Sequence, residues 1–179
     1  MFEPDEAWPE FAALRKDLES FHAEIKGEAL ALMDSGTAFK PWHEPEIYEG
    51  GWDVYGLFWG GREIERKTLA PVSKEILEAW QPLVFNAGFS LLRPGVRIKP
   101  HIGYTADVLR LHLGVVVPCE DSSKVGLRVG AQTRGWSEGR TELFDDTQEH
   151  EAWNTSALAR VVLLVDVLRP KGREKGRRG

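Results

Sequence analysis

Val108-Leu109-Arg110-Leu111-His112-Leu113-Gly114-Val115-Val116-Val117 alternates in side-chain character, and that alternation decides the fold class. In an extended strand successive side chains point to opposite faces. Leu109, Leu111, Leu113, Val115 and Val117 therefore form one apolar row, and Arg110, His112, Gly114 and Val116 form the other. A second stretch, Arg160-Val161-Val162-Leu163-Leu164-Val165-Asp166-Val167, is apolar on both faces except at its ends, the pattern of a strand covered on both sides. Strands are predicted at 84–92, 96–100, 108–117, 125–129, 140–144 and 160–168, separated by turn signals such as Arg93-Pro94-Gly95, Gly130 and Gly139. Many short strands in succession favour a β-sandwich or barrel over alternating βαβ units.

Outward from this block, apolar residues at Trp8, Phe11, Leu14, Leu18, Phe21, Ile25, Ala29 and Leu32 recur in steps of three and four. They predict an amphipathic helix over 5–35 that packs on a sheet, ended by Gly36. Trp52 to Trp59 reads as a strand and Gly60-Gly61 as its hairpin turn. A short helix over 73–80 is expected, with Ser73 as its cap and Pro82 barring its continuation. His22 and His43 read as histidines without chemistry, one on the helix and one in a loop.

The expected organisation is one domain, 1–170, followed by a basic, disordered tail, 171–179. A net charge of −5 argues against a nucleic-acid backbone as partner. No run of about 18 apolar residues occurs, so no membrane span is expected. Cys119 is the single cysteine, which excludes an internal disulfide and favours a reducing, cytoplasmic home.

Chemistry is suggested by three residues. Arg160 opens a buried strand, where an unpartnered guanidinium costs several kcal/mol, so it needs an acid from the protein or from a ligand. Asp145 and Asp146 are the protein candidates. His150 lies ten residues before Arg160, and His101 stands within Pro100-His101-Ile102-Gly103. Two imidazoles brought together by a small barrel can hold a first-row metal. The residues alone leave a structural ion pair and a metal site both open.

A resemblance narrows the choice. The runs that carry it are Phe89-Ser90-Leu91-Leu92-Arg93-Pro94-Gly95, His101-Ile102-Gly103, Leu109 to Pro118, Trp136-Ser137-Glu138-Gly139, Phe144-Asp145-Asp146-Thr147-Gln148-Glu149-His150 and Arg160 to Val167. In them the chain resembles the aspartyl/asparaginyl β-hydroxylase family of Fe(II)- and 2-oxoglutarate-dependent dioxygenases. The resemblance implies a mainly β fold, a cupin-like jelly roll or double-stranded β-helix. It implies iron held by His101 and His150, 2-oxoglutarate held by Arg160 with Ser90 and His112, and Arg110 lining the pocket toward cosubstrate or an acidic substrate group. The implied reaction uses O2, converts 2-oxoglutarate to succinate and CO2, and hydroxylates an unactivated C–H bond. The expected substrate is the β-carbon of an aspartyl or asparaginyl residue, or a related small-molecule, peptide or protein substrate.

Two positions depart from common patterns. Gly103 stands where many non-haem iron oxygenases carry an acidic ligand, an absence the resembling family shares, and water or a halide could take the vacancy. Asp145 or Asp146 could orient a bound water or His150. After Gly103 the family commonly continues Pro-Thr-Asn, whereas here Tyr104-Thr105-Ala106 follows, which leaves substrate choice open. The rival readings are a non-haem iron halogenase and a jelly roll that binds a small acid without turnover.

Overall fold

The computed structural model describes residues 1–3, 7–64 and 68–170, so the expected basic tail, 171–179, lies outside the described residues. A 3-10 turn at Pro9–Phe11 leads into α1 (Ala12–Ser20) and α2 (His22–Asp34), and α3 spans Pro71–Ala79. The strands are β1 (Lys40–Pro41), β2 (Tyr48–Glu49), β3 (Trp52–Trp59), β4 (Arg62–Glu63), β5 (Val84–Leu92), β6 (Val96–His101) and β7 (Val108–Val116). They continue with β8 (Val125–Val129), β9 (Gln132–Arg134), β10 (Thr141–Phe144), β11 (His150–Asn154) and β12 (Arg160–Leu168).

These strands form two antiparallel sheets, the jelly roll expected from the sequence. The larger sheet runs β1-β3-β5-β12-β7-β10, with β4 on β3, and the smaller runs β2-β6-β11-β8-β9. β12 sits between β5 and β7, which explains its two apolar faces. On one face Val161, Leu163, Val165 and Val167 join Leu109, Leu111, Leu113 and Val115 of β7 in a core covered by the helices. On the other, Val162 joins Leu92, Ile98, Leu127, Trp136 and Phe144 between the sheets. No helix of the described residues is long and apolar enough to cross a membrane.

Four local expectations change. The N-terminal helix is broken at Phe21, which ends α1 and precedes α2; Phe11, Leu14, Leu18, Ile25, Ala29 and Leu32 are buried, but Phe21 at the break is 44% exposed. α3 begins at Pro71, whose missing N–H suits a first turn. Ser73 is not its cap. Instead the Glu28 carboxylate of α2 accepts from the Val72 and Ser73 amides at 2.6 and 3.0 Å, an anion at a helix N-terminus.

The β7 alternation holds only to Gly114. Gly114 faces Val162 while Val116 faces Val161, so Val115 is an extra residue in a β-bulge. The bulge exchanges the faces that follow it: Val116 packs on the helix-covered core and Val117 on the core between the sheets. β11 was missing from the predicted strands because its buried positions are His150, Ala152 and Asn154 while Glu151 and Trp153 face outward, a reversed hydropathy pattern.

Leu163 is fully buried in the helix-covered core. Leu163→Ala should lower unfolding free energy by about 2–5 kcal/mol, read by urea denaturation with an unchanged m-value.

Candidate active site

The two histidines far apart in sequence meet because β6 and β11 pair antiparallel with His101 directly opposite His150. Their ring centroids lie 4.1 Å apart. His101 Nδ1 is 2.8 Å from the Lys99 carbonyl, and His150 Nδ1 is 3.0 Å from the Gln148 carbonyl. A carbonyl only accepts, so each Nδ1 carries the proton and each Nε2 keeps its lone pair. Both rings line a cleft between the sheets. Among the described residues no cluster of three or more His, Cys, Asp or Glu is placed to hold a metal ion, and His101 with His150 forms a pair.

Gly103 explains part of that. Its amide donates to the Asp146 carbonyl at 2.7 Å, and a Cβ built on it would collide with the Asp146 carboxylate. That carboxylate fills the space in which a side chain at this position would begin.

The opposite wall comes from the larger sheet. Arg160 is 1% exposed, yet no carboxylate of the described residues pairs with it. One of its amino groups donates to the Ser90 carbonyl at 3.3 Å, its guanidinium carbon lies 4.7 Å from the Trp136 ring centroid, and its buried Nε has no partner. Burial alone pulls its pKa down to about 9. The candidate acids are engaged elsewhere: Asp145 with Arg169 at 2.7 Å and Asp146 with Arg110 at 3.2 Å.

His112 stands beside this cation with both ring nitrogens buried and unpartnered. Burial, then the charges of Arg160, Arg110 and His150, hold its pKa well below the usual histidine range, so the ring is neutral. The Ser90 hydroxyl accepts from Trp52 Nε1 at 2.9 Å, which leaves its own proton to donate. All three residues line the cleft, whose empty volume is about 370 Å³ counted out to its open mouth.

Arg110 also lines the cleft, but it is not free. It donates to Asp166 at 2.8 and 3.2 Å and also pairs with Asp146. Burial pulls its pKa down, and Asp166 and Asp146 outweigh burial and hold it above the ordinary value. Asp166 was overlooked in the sequence because it sits near the end of an apolar strand. An acid in register with Arg110 across two neighbouring strands was the available signal. Trp52 and Phe144, which line the cleft, and Trp136, which covers Arg160, were likewise given no role. His22 and His43 stay outside: His22 bonds the Val115 carbonyl at 3.2 Å, and His43 packs on Trp42.

A sequence profile described as aspartyl/asparaginyl β-hydroxylase matches residues 19–170. The chain belongs to that family. Mouse aspartyl/asparaginyl β-hydroxylase is 33% identical over 167 residues, which cover 90% of this chain and 22% of the mouse protein. An ornithine lipid ester-linked acyl 2-hydroxylase from Rhizobium tropici is also 33% identical, covering 91% of this chain and 58% of that protein. This member thus spans only part of the length of both relatives. A Pseudomonas putida prolyl-4-hydroxylase structure superposes with a TM-score of 0.56 over 83% of this chain and 88% of that one, at 14% identity, which supports the jelly-roll fold.

The lone buried charge carries a stability cost. Arg160→Met should stabilise the ligand-free protein by about 1–4 kcal/mol, measured by chemical denaturation. Burial, then the neighbouring His101, pushes the His150 pKa down to about 3. As pH falls through 6.5 the unfolded chain takes up protons that folded His150 and His112 refuse, so stability is full above that pH and declines below it. The urea midpoint of metal-free protein should fall from pH 7 to pH 5, and His150→Gln should flatten the decline.

Proposed function

We propose that this chain is an Fe(II)- and 2-oxoglutarate-dependent hydroxylase. The observation that carries the proposal is Arg160, a guanidinium buried beneath the cleft with an unpartnered Nε and no carboxylate of its own. Such a residue is explained by an anion that arrives from outside, and a dicarboxylate supplies one.

The donor set fits the metal and the cosubstrate. Two imidazoles whose Nδ1 atoms donate to backbone carbonyls leave Nε2 as the donor atom toward a first-row divalent ion, and the carbonyls fix ring orientation. His101 and His150 would hold iron. Arg160 would take the distal carboxylate of 2-oxoglutarate, with the Ser90 hydroxyl and one N–H of neutral His112 as further donors. When bound, iron with 2-oxoglutarate and O2 supplies oxidative decarboxylation to succinate and CO2 and hydroxylation of a C–H bond.

The protein's own part is to bind, orient and exclude water. Arg160, Ser90 and His112 fix one end of the keto acid, so its other end is directed toward the histidine pair across the cleft. Trp52, Phe144, Ile98 and Leu164 wall the space between. Hydroxylation is favoured over halogenation because the Asp146 carboxylate stands in the space beside Gly103, where a halide would meet a like charge. The relatives' names connect one to aspartyl and asparaginyl residues and another to a lipid acyl chain, and a C–H bond of one of these kinds is the proposed target here. With Cys119 as its single cysteine, we place the chain in a reducing compartment, the cytoplasm.

Purified protein with Fe(II), ascorbate and 2-oxoglutarate should release succinate above the metal-free background. His101→Ala and His150→Ala should each reduce it to background, and full activity in either variant defeats the assignment. Arg160→Ala should raise the KM for 2-oxoglutarate about 30-fold or more, the cost of losing a charge-assisted carboxylate contact worth about 2–5 kcal/mol.

A further inference from the structure

The more exposed side of the cleft is built around Arg110, which already has two acidic partners. Asp166 takes two of the Arg110 donors and Asp146 a further contact. Asn86 extends the network: its amide nitrogen donates to Asp166 at 2.9 Å and to the Tyr104 hydroxyl at 2.6 Å, while its oxygen accepts from the Gly60 amide at 2.9 Å. Tyr104 follows the end of β6 in the smaller sheet, yet its hydroxyl is held by β5 of the larger one. Its side chain therefore reaches from one sheet to the other beside Arg110. Its ring is exposed, at 63%, and so is Ile102 at 66%, so the loop after His101 presents apolar surface.

We propose that the substrate end of this cleft accepts an uncharged group, an alkyl segment or a neutral side chain, and discriminates against a carboxylate. The proposal rests on the dioxygenase reading and adds the substrate class. Of the two arginines that line the cleft, Arg160 lies deep and is assigned to 2-oxoglutarate, and Arg110 is neutralised by two buried aspartates. Arg110 and its two aspartates sum to one negative charge, while Arg160 and a divalent metal would face the dianionic cosubstrate. Among the described residues that line this side of the cleft an incoming carboxylate would find no unpaired cation, and it would lie near Asp146 and Asp166, which repel it. An uncharged group carries no such desolvation or repulsion cost and can pack on the exposed Tyr104 ring, and a neutral amide can in addition accept a hydrogen bond from the Tyr104 hydroxyl, whose proton is left to donate.

The test is equilibrium binding, read by tryptophan fluorescence, since Trp52 lines the cleft. Protein loaded with Mn(II) and N-oxalylglycine, a non-reacting mimic of 2-oxoglutarate, is titrated at pH 7.5 with the N-acetyl, N-methylamide derivatives of leucine, asparagine and aspartate. Asparagine and aspartate are isosteric, so between those two probes charge is the difference read. The leucine and asparagine probes should bind at least tenfold more tightly than the aspartate probe. Tyr104→Ala, which removes an exposed side chain and should leave folding intact, should weaken the leucine probe at least threefold. Equal binding of all three, binding of none, or tighter binding of the aspartate probe overturns the inference. Failure of N-oxalylglycine itself to bind in the presence of Mn(II) overturns the underlying dioxygenase reading instead, so the two failures are distinguishable.

Discussion

An unpaired positive charge in a dry interior is the constraint around which this molecule is arranged. Arg160 begins the central strand of the larger sheet, so its position follows from the strand order. It is 1% exposed there, and among the described residues it meets a carbonyl and the face of Trp136 but no carboxylate. Left alone, such a charge costs several kcal/mol. The apolar cores on both faces of the sheet outweigh that cost, and the fold tolerates a residue that is poorly satisfied until an anion arrives. Stability given up at one position is the usual mark of a binding site rather than of a scaffold.

The second constraint is the pairing of β6 with β11. A register of one residue more or less would turn one imidazole to the opposite face, because side chains alternate along a strand. The backbone carbonyls two residues before each histidine then fix the tautomer. Asp146 contributes to the same wall in two ways, by excluding a side chain at Gly103 and by binding Arg110. The same carboxylate therefore closes the space beside Gly103 and pairs the arginine that lines the more exposed part of the cleft.

Much of this was legible in the residues. Three strands, 84–92, 125–129 and 160–168, have the bounds that their pattern suggested, because apolar runs rich in β-branched residues and flanking turn residues agree there. The need of Arg160 for an acid was also legible; which acids were spoken for was not. Asp145 and Asp146 are adjacent in sequence but serve two different arginines, and only the sheet register assigns Asp166 to Arg110. β11 escaped notice because chemistry occupies its inward face, so the strand carrying a candidate ligand is the one that hydropathy describes worst. The bulge at Val115 was invisible for another reason: β-branched residues on both sides of it fit either face equally well.

The loop that carries Ile102 and Tyr104 leaves the sheet immediately after His101 and makes no ladder of its own, in contrast to the strands that hold His101, His150 and Arg160. The two histidines and Arg160 thus sit on paired strands, while Ile102 and Tyr104 sit on a segment outside the ladders. A loop of this kind, here Tyr104-Thr105-Ala106, can be exchanged for another without altering the ladders that bring the two histidines and Arg160 together.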